Sequence, residues 1–181
     1  MKVLFHSFFG LVFLVFDTVR LPFSLPFGID LNLCLFYVLF TALSRPLKES
    51  VIVAAILGIG MDSFSGAAFG LHFTVYLWVA IALAWIPGYA DAENGFFVAL
   101  ASAAGVLVQG LYFSVAAAFM AGGRQVAAPS FGELALGAFF AAPAGWWIIG
   151  RLRKLFVKMN GRTDRTEPRV YLGDSYQDRL D

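Results

Sequence analysis

The chain has 181 residues, 60% of them hydrophobic and only 14% charged, with a net charge of +1. Soluble domains average about 45–50% apolar and about 25% charged residues, so an ordinary soluble globule is excluded and an integral membrane protein is indicated. The near-neutral balance offers no field for a nucleic-acid partner. Residues 1–150 hold five of the thirteen Lys and Arg and seven of the twelve Asp and Glu, and residues 151–181 hold the rest. This divides the chain into a polytopic membrane region, 1–150, and a basic amphipathic juxtamembrane segment with a disordered cytoplasmic tail, 151–181. The expected fold is all-α, with about six transmembrane helices.

The first apolar run covers residues 3–19. It follows Lys2 as a signal peptide would, but Asp17, Thr18 and Arg20 end it where a small-x-small cleavage pattern would stand, so an uncleaved span is expected. His6 falls at its interfacial start. Asp17 and Arg20 are three residues apart and share a helix face, which suits an ion pair near the exit. Pro22, Pro26 and Gly28 then make a loop. Asp30 stands where an N-cap is expected for the second span, 31–43, because a carboxylate accepts from the orphan N–H groups of a helix start. Cys34 inside that span reads as a small packed hydrophobe and, being the sole cysteine, forms no internal disulfide. Arg45, Pro46, Lys48 and Glu49 form a tight polar turn.

The third span begins within 47–51 and carries the most informative stretch, A-A-I-L-G-I-G-M-D-S-F-S-G-A-A-F-G-L-H, over 54–72. Asp62 lies about 16 Å along a helix from Val51, near mid-membrane if that helix is continuous. A carboxylate there costs roughly 2.5–3.5 kcal/mol on insertion scales, so it is expected to face a bundle interior and to find a partner. Ala54, Gly58, Asp62, Gly66 and Gly70 recur every four residues, a spacing that lets another backbone approach closely. Gly60, Ser63, Ser65 and Gly66 also favour a break after Asp62. The packing or partner-binding surface is therefore assigned to Gly58, Asp62, Ser65, Gly66, Gly70 and His72, with Asp62→Leu expected to spare insertion and weaken a complex.

The fourth span, 69–86, is closed by Trp85, Pro87 and Tyr89 at belt depth, with Trp78 packed mid-span. The polar turn of Asp91, Glu93 and Asn94 leads into the fifth span, 95–120, where Gly110, Ser114, Ala118 and Gly122 form a second small-residue stripe and Gln109 is an interhelical hydrogen-bond candidate. A loop over 122–130 precedes the sixth span, 131–150, in which Pro143 and Gly145 predict a kink. Past Trp146 and Trp147, Leu152, Leu155, Phe156 and Met159 keep helical spacing, while Arg151, Arg153, Lys154 and Lys158 cover the other face. That pattern is expected to lie on anionic headgroups, a membrane-lipid contact. No internal repeat is evident. With both ends inside, Lys2, Arg45, Lys48 and the tail are cytoplasmic and only Arg20 and Arg124 are external, which favours N-in and C-in. Five spans with a re-entrant segment at Asp62 fit the same hydropathy.

Catalytic chemistry finds little purchase. G-I-G-M-D at 58–62 is one residue longer than the G-x-G-D of intramembrane aspartyl proteases, which also need a second carboxylate to share a proton. Ser63 or Ser65 with His72 lacks an oxyanion-hole pattern. Two histidines and one cysteine give no metal-ligand spacing, and no glycine loop cradles a phosphate, so no catalytic residue, metal or cofactor is expected.

Between Gly28 and Trp85 the order of features resembles the bacterial rod shape-determining membrane protein MreD family. The residues that carry the resemblance are Asp30-Leu31-Asn32-Leu33 opening an apolar span, the basic turn Arg45-Pro46-Leu47-Lys48, and a glycine-rich span ending in Asp62, Ser65-Gly66 and Gly70-Leu71-His72. Where many relatives have Pro-Asp, this chain has Ile29-Asp30. The resemblance implies a non-catalytic scaffold of cell-wall elongation in the bacterial cytoplasmic membrane. The implied partners are the periplasmic-facing MreC, the MreB filament, and the glycan polymerase and transpeptidase pair. It also implies a fold similar to the substrate-binding subunits of energy-coupling-factor transporters, which keeps a vitamin or small-solute uptake subunit as the alternative.

Overall fold

The apolar runs become six α-helices among the residues that the computed structural model describes, 2–18, 32–65, 70–86, 94–120 and 130–160. They are α1 (Lys2–Thr18), α2 (Leu33–Ser44), α3 (Leu47–Ser65), α4 (Leu71–Ala84), α5 (Gly95–Met120) and α6 (Phe131–Asn160). Gly95–Phe119 and Phe131–Phe156 are long and apolar enough to cross a membrane. The helices are unequal: α2 has 12 residues and α4 has 14. At 1.5 Å per residue these reach about 18 and 21 Å, short of a roughly 30 Å hydrocarbon layer.

The shortest helix is the centre. Every residue of α2 from Cys34 to Leu43 is buried, and α2 touches each of the other five helices. A helix that is apolar all round lies in a protein core or spans a membrane, and α2, too short to span one, is packed among α1, α3, α4, α5 and α6. Small residues set the close approaches. A Cβ on Gly145 of α6 would collide with the Ser102 side chain of α5 and sit 3.1 Å from Phe36 Cε1 of α2. Gly110 of the second stripe faces Leu134, so that stripe joins α5 to α6, while Gly122 lies outside the described residues. Gln109 is half-buried.

Helix starts follow local chemistry. Asn94 Oδ1 accepts from Phe96 N at 3.1 Å and opens α5. Ser130 and Glu133 form a reciprocal capping box at α6, with Ser130 N donating to Glu133 Oε2 at 2.8 Å and Glu133 N donating to Ser130 Oγ at 3.3 Å.

α6 departs from expectation. The expected span ending near 150 and the basic amphipathic extension beyond it form one 30-residue helix that runs through Pro143. Ile149, Leu152 and Phe156 continue one inward stripe past Gly150, so the helix has no reason to stop or turn flat. Leu152 is buried, and Phe156 packs edge-on to Phe40 of α2, with ring centroids 6.3 Å apart. The Arg45 guanidinium sits over the same Phe156 ring at 4.3 Å. The apolar side of the basic segment thus covers the bundle, although Leu155 stays exposed. Trp78, expected to pack mid-span, is instead 64% exposed on the outside of α4.

Candidate functional site: carboxylates that cap neighbouring helices

A helix start leaves its first N–H groups without intrahelical acceptors. At the surface water takes them; inside a bundle another group must. Two aspartates do this, each from the helix that precedes the one it caps.

Asp62 lies in the last turn of α3, which ends at Ser65, and Gly70 begins the next described segment with φ of +99°. That left-handed conformation is one that glycine adopts without strain. It turns the chain so that the start of α4 faces back on α3. Asp62 Oδ2 accepts from Gly70 N at 2.9 Å and Phe73 N at 3.2 Å, and Oδ1 accepts from His72 N at 2.9 Å. His72 Nδ1 stands 3.0 Å from the same Oδ1, and in the tautomer protonated at Nδ1 the ring donates to it as well. Asp62 and His72 are 4% and 5% exposed. Four donors fill the acceptor capacity of a carboxylate, and the positive end of α4 adds to the attraction.

Asp17 does the same for α2. Its Oδ1 accepts from Leu33 N at 3.1 Å and its Oδ2 from Cys34 N at 2.8 Å. Asn32 is the N-cap residue, and its Oδ1 takes Leu35 N at 3.0 Å. The expected cap, Asp30, and the expected partner of Asp17, Arg20, both lie outside the described residues. The cap expected from the adjoining sequence is supplied from α1 and Asn32.

The two caps are linked. Tyr76 OH of α4 donates to Asn32 Oδ1 at 2.9 Å. The His72 ring meets Tyr76 edge-on at 5.9 Å and Phe113 of α5 at 4.8 Å. Side chains from α1 to α5 therefore converge at one end of the bundle. Tyr76 is fully buried, so Tyr76→Phe removes a bond worth about 1 kcal/mol and should lower the thermal midpoint of the detergent-solubilised protein by about 2–4 °C. A melting curve of that single variant checks it.

The residues singled out from sequence separate here. Asp62, Gly70 and His72 meet directly. Gly58 lies one turn earlier on α3, where a Cβ would sit 2.9 Å from Phe73 N and closer still to its Cα. The small-residue stripe therefore packs against α4 of the same chain. Ser65 is exposed at the end of α3, and Gly66 lies outside the described residues. α3 is continuous from Leu47 through Asp62 to Ser65, as the reckoning of about 16 Å from Val51 requires, and the chain also breaks after Asp62, with α4 starting at Leu71. Asp17, Asn32 and Tyr76 are members of the cluster that sequence spacing did not single out as a site. Among the described residues no three or more His, Cys, Asp and Glu are grouped to hold a metal. No family model, curated protein or solved structure matches this chain.

Proposed function

We propose that the protein is a non-catalytic membrane scaffold of bacterial wall elongation, of the MreD type, with six passes and both ends in the cytoplasm. One observation carries the scaffold: the most distinctive polar residue of the chain, Asp62, spends all its bonding capacity on holding α3 to α4. A group committed in this way supports a rigid shape rather than turnover. The resemblance in residues 28–85 supplies the biological setting, and the described cations near the α2–α3 turn and the end of α6 fit the cytoplasmic side of that topology. Since Gly58 and Asp62 face α4, a single-span MreC-like partner would take an outer helix face. The MreB filament and the polymerase and transpeptidase pair would join through it.

Affinity purification from mild-detergent membranes of the native host tests the proposal. A periplasmic coiled-coil protein with one span, or the wall-synthesis pair, should co-purify. Recovery of a transmembrane coupling subunit with ATPases would overturn the scaffold in favour of solute uptake.

A further inference from the structure

The described side chains are sorted by charge along the bundle. One end carries Arg45, Lys48, Arg151, Arg153, Lys154 and Lys158 with Glu49 as the sole acid among the described residues. The other end carries Asp17, Asp62 and Glu133, with no described Lys or Arg side chain. Arg151, Lys154 and Lys158 are exposed and fall within about 60° of one another around α6, so they make one face. The opposite side of this segment is fixed to the bundle by Leu152 and by Phe156 under Arg45. The Arg151 guanidinium lies over the Trp147 ring at 5.2 Å, which aims it along the helix flank.

Trp146 and Trp147 are about 60% exposed, as residues of an interfacial belt would be. Along α6, Arg151, Lys154 and Lys158 follow Trp147 by about 6, 10 and 16 Å. A headgroup layer is about 5–8 Å thick, and its surface potential extends about 8 Å further at physiological salt. The helix therefore carries a ladder of cations through the depth at which anionic headgroups act. Lying flat on its apolar side is ruled out, because that side is occupied by the bundle.

We infer that Arg151, Lys154 and Lys158 form a collar that binds the headgroups of anionic phospholipids around the emerging α6. The inference rests on the membrane-embedded part of the proposal above and is independent of its protein partners. Charge complementarity selects the occupant: a face that is cationic among the described residues, at belt depth, meets a negatively charged leaflet.

The test is native mass spectrometry of the full chain from micelles holding equal phosphatidylglycerol and phosphatidylcholine of matched acyl chains. Wild type should retain phosphatidylglycerol in at least about fivefold excess, the factor expected for a single interfacial cation. The triple variant Arg151→Gln, Lys154→Gln, Lys158→Gln should fall to near parity, while the charge-keeping set Arg151→Lys, Lys154→Arg, Lys158→Arg retains the excess. Equal retention of both lipids by wild type would overturn the collar and leave membrane embedding standing. Retention of neither lipid would overturn both. An unchanged excess in the glutamine variant, with loss of a co-purifying protein, would assign the face to an acidic protein and also overturn it.

Discussion

Asp62→Leu should lower the thermal midpoint of the purified protein by about 10 °C. The leucine fills a similar space but leaves the Gly70, His72 and Phe73 N–H groups and the His72 ring without their acceptor. Each buried donor stranded in this way costs about 1–3 kcal/mol, and partial relaxation holds the total near 3–5 kcal/mol. Asp62→Asn should fall between, because one amide oxygen still accepts while the NH₂ group faces donors. His72→Phe removes only the ring bond and keeps the three backbone bonds, so its loss should be the smallest of the three. Melting curves of the four proteins in one detergent give the ranking. A leucine variant as stable as wild type would show that the α4 start does not depend on this carboxylate. The cap also revises the expectation that Asp62→Leu would act on a partner first: any weakened complex should follow from a loosened α3–α4 junction.

Gly58→Ala should destabilise by about 1–3 kcal/mol, and Gly58→Val by more. The added Cβ meets the backbone of Phe73, which cannot rotate aside as a side chain would. Only separation of α3 from α4 relieves the overlap. Separation draws Asp62 off the amides it caps, so the effects of Gly58→Ala and Asp62→Asn should combine to less than their sum. Gly150→Ala is the matched control. Nothing lies within 4 Å of its added Cβ, and alanine favours helix, so stability should hold or rise by up to about 1 kcal/mol. Chemical or thermal unfolding of these variants decides the matter. A Gly58→Ala protein that matches Gly150→Ala would mean that the two backbones do not need to touch.

How much of this could be read from the residues differs from place to place. Hydropathy located all six helices, because each apolar run is long compared with its polar breaks, and the small-residue spacing marked the α3 face that meets α4. The union of the sixth span with its basic extension in one helix is harder to read, since Gly150 and the first arginine mimic a helix end while the inward stripe continues through Leu152 and Phe156. The reciprocal cap of Ser130 and Glu133 is written in the sequence as S-x-x-E, at the end of the expected loop over 122–130. The two cross-helix caps are the instructive case. Asp17 reaches residues 16 and 17 positions away, and Asp62 reaches 8 to 11 positions, so no local pattern links them. A short signal did exist: Phe16-Asp17-Thr18 and Met61-Asp62-Ser63 share an apolar–Asp–hydroxyl order. In each the hydroxyl donates back four residues, Thr18 Oγ1 to Leu14 O at 2.7 Å and Ser63 Oγ to Ile59 O at 2.8 Å. Such back-bonding spares the hydroxyl a competing partner and leaves the carboxylate to reach outward. The α1–α2 and α3–α4 pairs therefore repeat one joint, where no repeat was evident from the residues alone.

The enclosure of α2 has a consequence for how the chain can vary. Along α5 and α6, exposed positions such as Leu107, Leu111 and Phe139 alternate with buried ones such as Ala101 and Ala141, so tolerated replacements should recur with the turn of the helix. From Cys34 to Leu43 there is no outward side on which a change could be hidden. A saturation library selected for stable protein should show a rhythmic profile over the outer helices and a flat, low plateau over those ten positions. Drift in any neighbour would have to be accommodated by residues other than these, which makes the innermost helix the slowest part of the chain to diverge.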